Sequence, residues 1–236
     1  MNEKKTDILA FAPHPDDIEM GCGGTMIKLN KLGYVTGIIE MTRGELGTRG
    51  TPDIRKLESI KAAEILGVKY KENLDLGDGT LENNRTNKEL VVDIIRKYRP
   101  KLVIAPHWFD DHPDHIECAN LVKESVYLAG LANYLPKNEY HRTGGIIYYM
   151  CRGEFNPKFV IDISDVFNEK LRAIQSYSSQ FHSEESDEPE TSLSDPDFIK
   201  IFEARGRVYG RMIGCRYGEP FDSKYPPNIL DPVAAL

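Results

Sequence analysis

The apolar run Ile8-Leu9-Ala10-Phe11-Ala12 is cut off by Pro13-His14-Pro15-Asp16-Asp17, and this junction constrains the chain more than any other stretch. Five consecutive apolar residues without polar alternation are the pattern of a strand buried on both faces, as parallel strands are in α/β folds. The two prolines lack the N–H that a ladder needs, and each disfavours helical geometry in the residue before it. His14 is therefore expected extended just beyond the strand. A turn into a helix then breaks the alternation of side chains, so one of Asp16 and Asp17 can join His14 on a cation while the other faces a water.

The strand–helix alternation continues. Ile18, Cys22, Met26, Leu29 and Leu32 recur at helical spacing, and Gly33 is a natural stop. Gly21, Gly23 and Gly24 fit a helix poorly and are read as a close approach to a neighbouring segment. The run lacks both the Lys of a phosphate loop and the GxGxxG spacing, so a phosphate cradle is the minor reading. Residues 35–41 form a second strand, giving a right-handed βαβ start with the opening motif at the carboxyl edge of the sheet, where such folds bind ligands. A helix over 54–66, ended by Gly67, precedes a strand over 70–76 that runs into Gly77-Asp78-Gly79 and makes Asp78 a candidate substrate-binding residue. A helix over 90–98 and a strand over 102–105, ended by Pro106, follow. Apolar runs at 145–151 and 159–163, a helix over 166–177 and a helix over 198–214 complete the α/β pattern, expected to form one domain over residues 1–236.

Two stretches stand outside this alternation. Residues 42–52 are polar, Gly-rich and too long for a simple connection, which suggests a binding loop. Residues 180–197 are acidic and poor in apolar side chains and read as an exposed loop or lid, and the tail around Tyr225-Pro226-Pro227 is expected to lie extended on the surface or against another subunit.

A net charge of −7 and the absence of a basic run argue against nucleic acid or an anionic membrane as partner and leave a small molecule. The apolar run near the N-terminus is too short for a signal-peptide core, and there are no 18 continuous apolar residues, so a cytoplasmic location is expected. Cys22, Cys118, Cys151 and Cys215 are widely spaced and are expected reduced; Cys22, close to the opening motif, is the one nearest a site by sequence.

The second motif lies just past Pro106, where His107-Trp108-Phe109-Asp110-Asp111-His112-Pro113-Asp114-His115 is the densest cluster of His and Asp in the chain. Two strands of one sheet thus end in Pro-marked turns that deliver His and Asp to the same edge. Two imidazoles and one carboxylate suit a hydrolytic zinc site, and His14, Asp17 and His115 are chosen as ligands. Asp16 is then the general base, His112 an oxyanion partner when protonated, and Asp114 either the holder of that imidazolium or a carboxylate that orients a ligand. Each residue also has a plainer reading: an Asp beside a helix start as a cap, a His at a strand end as an ordinary hydrogen-bonded residue.

PHPDD at 13–17 and HPDH at 112–115, with TRGELGTRG, KAAEILG and LGDG between them, resemble the LmbE/PIG-L family of zinc-dependent N-acetylglucosamine deacetylases. The resemblance implies a Rossmann-like fold with helices on both faces of a mostly parallel sheet. It implies Zn2+ on His14, Asp17 and His115, Asp16 as base and His112 as acid or oxyanion partner. It also suggests that Arg55 contacts the sugar or its anionic aglycone, with a helix ion pair to Glu58 as the alternative. Within the family the resemblance is to members that deacetylate N-acetylglucosaminyl-malate in bacillithiol biosynthesis, so the expected products are glucosaminyl-malate and acetate. Another N-acetylglucosamine compound or a bacillithiol S-conjugate is the alternative substrate, and a nucleotide-binding module without turnover the alternative of another class. Arg49, Arg55, Arg142 and Arg152 are the cations available for the malate carboxylates, and Asp110 stands where relatives often carry Tyr. A homo-oligomer is expected.

Overall fold

The computed structural model of the chain describes residues 5–135, 139–181 and 187–226. Residues 182–186 of the acidic stretch and the tail from 227 onward lie outside the described residues. Seven strands form one sheet in the order β3-β2-β1-β4-β5-β7-β6. The first five, β1 (Ile8–Ala12), β2 (Thr36–Glu40), β3 (Tyr70–Asn73), β4 (Leu102–Pro106) and β5 (Gly145–Tyr149), run parallel. This is the Rossmann-like α/β arrangement, with β1 and β4 adjacent where the strand order reverses. On the far side, β6 (Phe159–Asp162) and β7 (Gly218–Ser223) add antiparallel pairs.

The pleat of β1 shows how the core is divided. Ile8, Ala10 and Ala12 face one layer with α1 (Asp17–Lys31), α2 (Pro52–Leu66) and α5 (Phe167–Gln175), whereas Leu9 and Phe11 face the other with α3 (Arg85–Tyr98) and α4 (Pro113–Ala129). A strand covered on both sides cannot alternate polar and apolar residues, which is why the run reads as continuous. The last helix, α6 (Phe198–Met212), packs on β7 and β6.

Helix α1 is broken at Cys22, whose φ of −142° is not helical. The break exposes the end of one half-helix and the start of the next inside the protein. A buried ion pair splices them: Lys170 Nζ donates to Met20 O at 2.9 Å, while Glu219 accepts from Gly24 N at 2.9 Å and Thr25 N at 2.7 Å, and the two side chains meet at 2.5 Å. A cation at the C-terminal half and an anion at the N-terminal half match both partial charges. The glycines that fit a helix poorly lie at this break. A Cβ on Gly24 would stand 2.9 Å from three carbons of Ile163, and one on Gly21 would collide with the Tyr149 ring. The run is a packing device: its glycines meet Tyr149, Leu66 and Ile163, and the N–H groups of Gly24 and Thr25 go to Glu219 rather than to an open phosphate pocket.

Several expected boundaries shift. The strand over 70–76 stops at Asn73 because Asp75 turns left-handed at φ 52°, although Leu74 N and Leu76 N still donate to Glu40 O and Met41 O. The helix over 90–98 begins earlier, at Arg85, because the Asn84 side chain caps it through Asn87 N. Strand β7 has no counterpart in the sequence reading, since Gly218-Glu219-Pro220-Phe221-Asp222-Ser223 carries neither alternation nor an apolar run. Pro220 is tolerated because the β5 ladder begins only at Phe221. Within 180–197, Gln180 and Ser194 are buried, so this stretch is not wholly the exposed loop expected from composition. All four cysteines are free, and Cys22 sits in the core rather than at a site. Among the described residues no helix is long and apolar enough to cross a membrane.

Glu219→Ala leaves Lys170 charged and buried beside two unpaired N–H groups, so it is expected to lower stability by about 3–5 kcal/mol in urea denaturation. A loss under about 1 kcal/mol, the worth of an exposed pair, means the splice does not hold the broken helix.

Candidate metal and catalytic site

The carboxyl ends of β1 and β4 deliver the two motifs to one cavity of ≈ 600 Å³, whose floor includes His14, Asp16, Asp17, His112 and His115. Asp17 is the meeting point. Its Oδ2 lies 3.3 Å from His14 Nδ1 and its Oδ1 3.4 Å from His115 Nε2. The far nitrogen of each imidazole is backed by carboxylates. His14 Nε2 is 3.1 Å from both Asp78 Oδ1 and Asp114 Oδ2, and His115 Nδ1 is 3.2 Å from Asp110 Oδ1, at an angle that makes a charge contact rather than an aligned hydrogen bond. An imidazole with one nitrogen aimed at a shared point and the other held by a carboxylate is the arrangement of metal-ligating histidines.

His112 differs. It caps α4, with Nδ1 accepting from Asp114 N at 3.2 Å. A ring that accepts at Nδ1 carries its proton on Nε2 when neutral, so it offers the floor a donor and not a metal lone pair. Protonation, expected from sequence as the condition for donating, is not required. Burial, followed by His14 and His115, also pulls its pKa down.

Asp16 occupies the N-cap of α1 yet makes no side-chain cap bond, and it sits at φ 103°, a left-handed conformation that costs a non-glycine residue about 1–3 kcal/mol. Its carboxylate instead accepts from Arg55 Nη2 at 3.1 Å. The same guanidinium donates to Pro15 O and Gly44 O, and it can pass only because Gly44, at φ 67°, has no Cβ to block it. Arg55 thus holds the Asp16 carboxylate, and Glu58 is engaged elsewhere, by Ser178 and Ser179. Burial pushes the Asp16 carboxyl up to about 7 against the pull of Arg55. For Asp17, burial is outweighed by His115 and His14, which hold it well below the usual carboxylate range.

Asp114 serves His14 rather than His112, with Gly79 N and Leu81 N donating to its two oxygens. Asp78, expected at the substrate, lines the cavity, but His14 engages its Oδ1 and Leu46 N donates to its Oδ2. Asp110 is the residue whose role sequence reasoning missed: besides facing His115 it accepts from His112 N, Arg152 N and Gly153 N, joining the loops after β4 and β5. Among the described residues, five carboxylates (Asp16, Asp17, Asp78, Asp110, Asp114) crowd three imidazoles and one guanidinium, an excess of buried negative charge that a divalent cation balances.

The walls come from elsewhere. Leu46, Gly47 and Thr48 of the expected binding loop line the cavity, as do the apolar Leu193, Phe198, Ile201 and Phe202 and the cationic Arg152 and Arg205. Arg49 is buried 3.8 Å from Glu188 and Arg142 donates to Gly130 O, and neither lines this space. Arg205 escaped the sequence reading because nothing in its helical neighbourhood marks it apart from an ordinary surface arginine.

The family model described as GlcNAc-PI de-N-acetylase, PIG-L, matches residues 9–126, which hold both motifs. The diacetylchitobiose deacetylase of Thermococcus kodakarensis is 35% identical over 98% of this chain and 88% of its own length. The solved N,N'-diacetylchitobiose deacetylase of Pyrococcus horikoshii superposes with a TM-score of 0.80 at 31% identity, covering 95% of this chain and 85% of that one. A probable N-acetyl-alpha-D-glucosaminyl L-malate deacetylase 2 of Bacillus cereus is 30% identical over 73% of this chain and 83% of its own. With both motifs inside the matched region and likeness to a relative along nearly the whole sequence, the chain belongs to the PIG-L family.

Proposed function

We propose that this chain, acting as one deacetylase domain, removes the N-acetyl group from an N-acetylglucosamine-type compound, with a divalent metal held by His14, Asp17 and His115. The observation that carries this is the pair of imidazole nitrogens facing Asp17, each backed by its own carboxylate, beside an Asp16 that caps no helix. Zn2+ suits the donor set of two nitrogens and one carboxylate, and Fe(II) or Co(II) fits it as well.

When bound, such an ion polarises the amide carbonyl and lowers the pKa of water towards about 7. The chain supplies the remainder. Asp16 accepts the proton of the attacking water and returns it to the nitrogen as the C–N bond breaks, so that acetate and a free amine leave. A carboxyl that burial has raised suits both halves of that exchange. Arg55 keeps Asp16 in place, Asp114 and Asp110 fix the ring orientations of His14 and His115, and the Nε2 proton of His112 stabilises charge on the carbonyl oxygen.

For the aglycone, the longer and closer likeness to diacetylchitobiose deacetylases favours a second N-acetylglucosamine. The N-acetylglucosaminyl-malate of bacillithiol biosynthesis is the second reading, favoured by Arg152 and Arg205 on the cavity wall and by the more distant malate deacetylase relative. A role for Arg55 and Asp78 in binding the sugar is retained only through their place on that wall. A homo-oligomer is proposed alongside, supported by Ile54, Leu57 and Ile60, exposed at helical spacing on α2.

Asp16→Asn is expected to keep the metal and lose about 10²–10⁴-fold in kcat, whereas His115→Ala loses both; metal analysis paired with an amine-release assay separates them. An active Asp16→Asn protein removes the proposed base. Arg55→Met should move the acid limb of the kcat/KM profile to higher pH, because the guanidinium lowers the pKa of a base that must be deprotonated to act. An unmoved limb would show that Arg55 does not act through Asp16. Comparing kcat/KM on diacetylchitobiose and on N-acetylglucosaminyl-malate decides the aglycone; a higher value for the malate compound makes it the substrate and sets the disaccharide aside.

A further inference from the structure

Cys151 lies two residues beyond Tyr149, which pairs with Pro106 at the end of β4. Parallel neighbours leave the sheet on the same edge, so the chain after β5 runs beside the loop that carries Asp110, His112 and His115. It is fixed there from two sides: Asp110 accepts from Arg152 N and Gly153 N, and Arg205 Nη1 donates to Cys151 O at 2.8 Å. Cys151 is among the residues lining the cavity, and its sulfur, an Asp17 carboxylate oxygen and a His115 ring nitrogen all lie within 4.8 Å of one another. Donors around one tetrahedral ion with bonds of about 2.0–2.3 Å stand about 3.5 Å apart, so a modest inward turn of these side chains closes the set.

We propose that Cys151 gives this floor a second, thiophilic binding mode, in which Asp17, His115 and Cys151 together hold a soft divalent cation such as Cd2+. The inference rests on the metal reading of the floor and adds a donor to it. Thiolate sulfur favours softer ions than imidazole and carboxylate do, so this mode selects by ion type. As the sulfur–metal bond forms the thiol proton leaves to solvent, and no electrons change hands. The two modes share Asp17 and His115 and therefore exclude one another. The thiolate also takes up a coordination position that hydrolysis needs open, so an ion held in this way inhibits. A purely packing role, suggested by the contact of Cys151 with the core around β1 and α1, forms no sulfur–metal bond.

The test uses chelator-stripped protein titrated separately with Cd2+ and with Zn2+, reading the near-ultraviolet thiolate-to-cadmium absorption and the bound metal after desalting. Wild-type protein should bind Cd2+ with the absorption band. Cys151→Ser and Cys151→Ala should lack the band and bind Cd2+ at least about tenfold more weakly, with Zn2+ affinity retained. Cadmium bound without the band, or a band that survives both substitutions, overturns the thiophilic mode and leaves the hydrolytic metal reading standing. Wild-type protein that binds neither Cd2+ nor Zn2+ overturns both.

Discussion

Asp17 meets both His14 and His115 at the floor of the cavity. One carboxylate between two imidazoles, each backed by further carboxylates, is a buried cluster with more negative charge than its neighbours can neutralise. Such a cluster is costly unless a cation completes it. The surrounding architecture holds the cluster together: β1 and β4 are neighbours, their ends open on one edge, and the prolines that stop both strands turn the chain toward the same point.

The same constraint shapes the first helix. Asp16 is strained at φ 103° and uses no oxygen for capping, which leaves its carboxylate to Arg55 and the floor. A few residues further on, the helix breaks and is rejoined by Lys170 and Glu219 from α5 and β7, elements far away in sequence. The segment carrying both aspartates is therefore anchored at its start by Arg55 and at its end by a buried ion pair. The positions of Asp16 and Asp17, which a short loop would blur, are held by two independent polar clamps.

What could be read in the sequence follows from what is local. The apolar runs, helical spacings and glycine stops mark β1, β2, β4 and most helices, because burial and backbone preference act over a few residues. The floor residues were legible because prolines flank them and because their types have few other uses together. Strand β7 was not legible: its residues pair through register with β5 and β6, and neither alternation nor apolarity records that. The family resemblance points Arg55 at the sugar, and only the path through Gly44 shows that it reaches Asp16.

Local pattern was enough for the α/β alternation, the two strand-end motifs and the residue types that a metal and a base need. The division of labour among those residues comes from the fold. Which nitrogen of His112 accepts, which carboxylate backs which imidazole, and that Cys151 rather than Cys22 reaches the cavity depend on hydrogen bonds and close approaches, many between segments far apart in the chain, as with His14 and Asp114, 100 residues apart. Short-range patterns carry the elements, whereas side-chain direction at a shared edge is fixed by packing partners that the pattern does not contain.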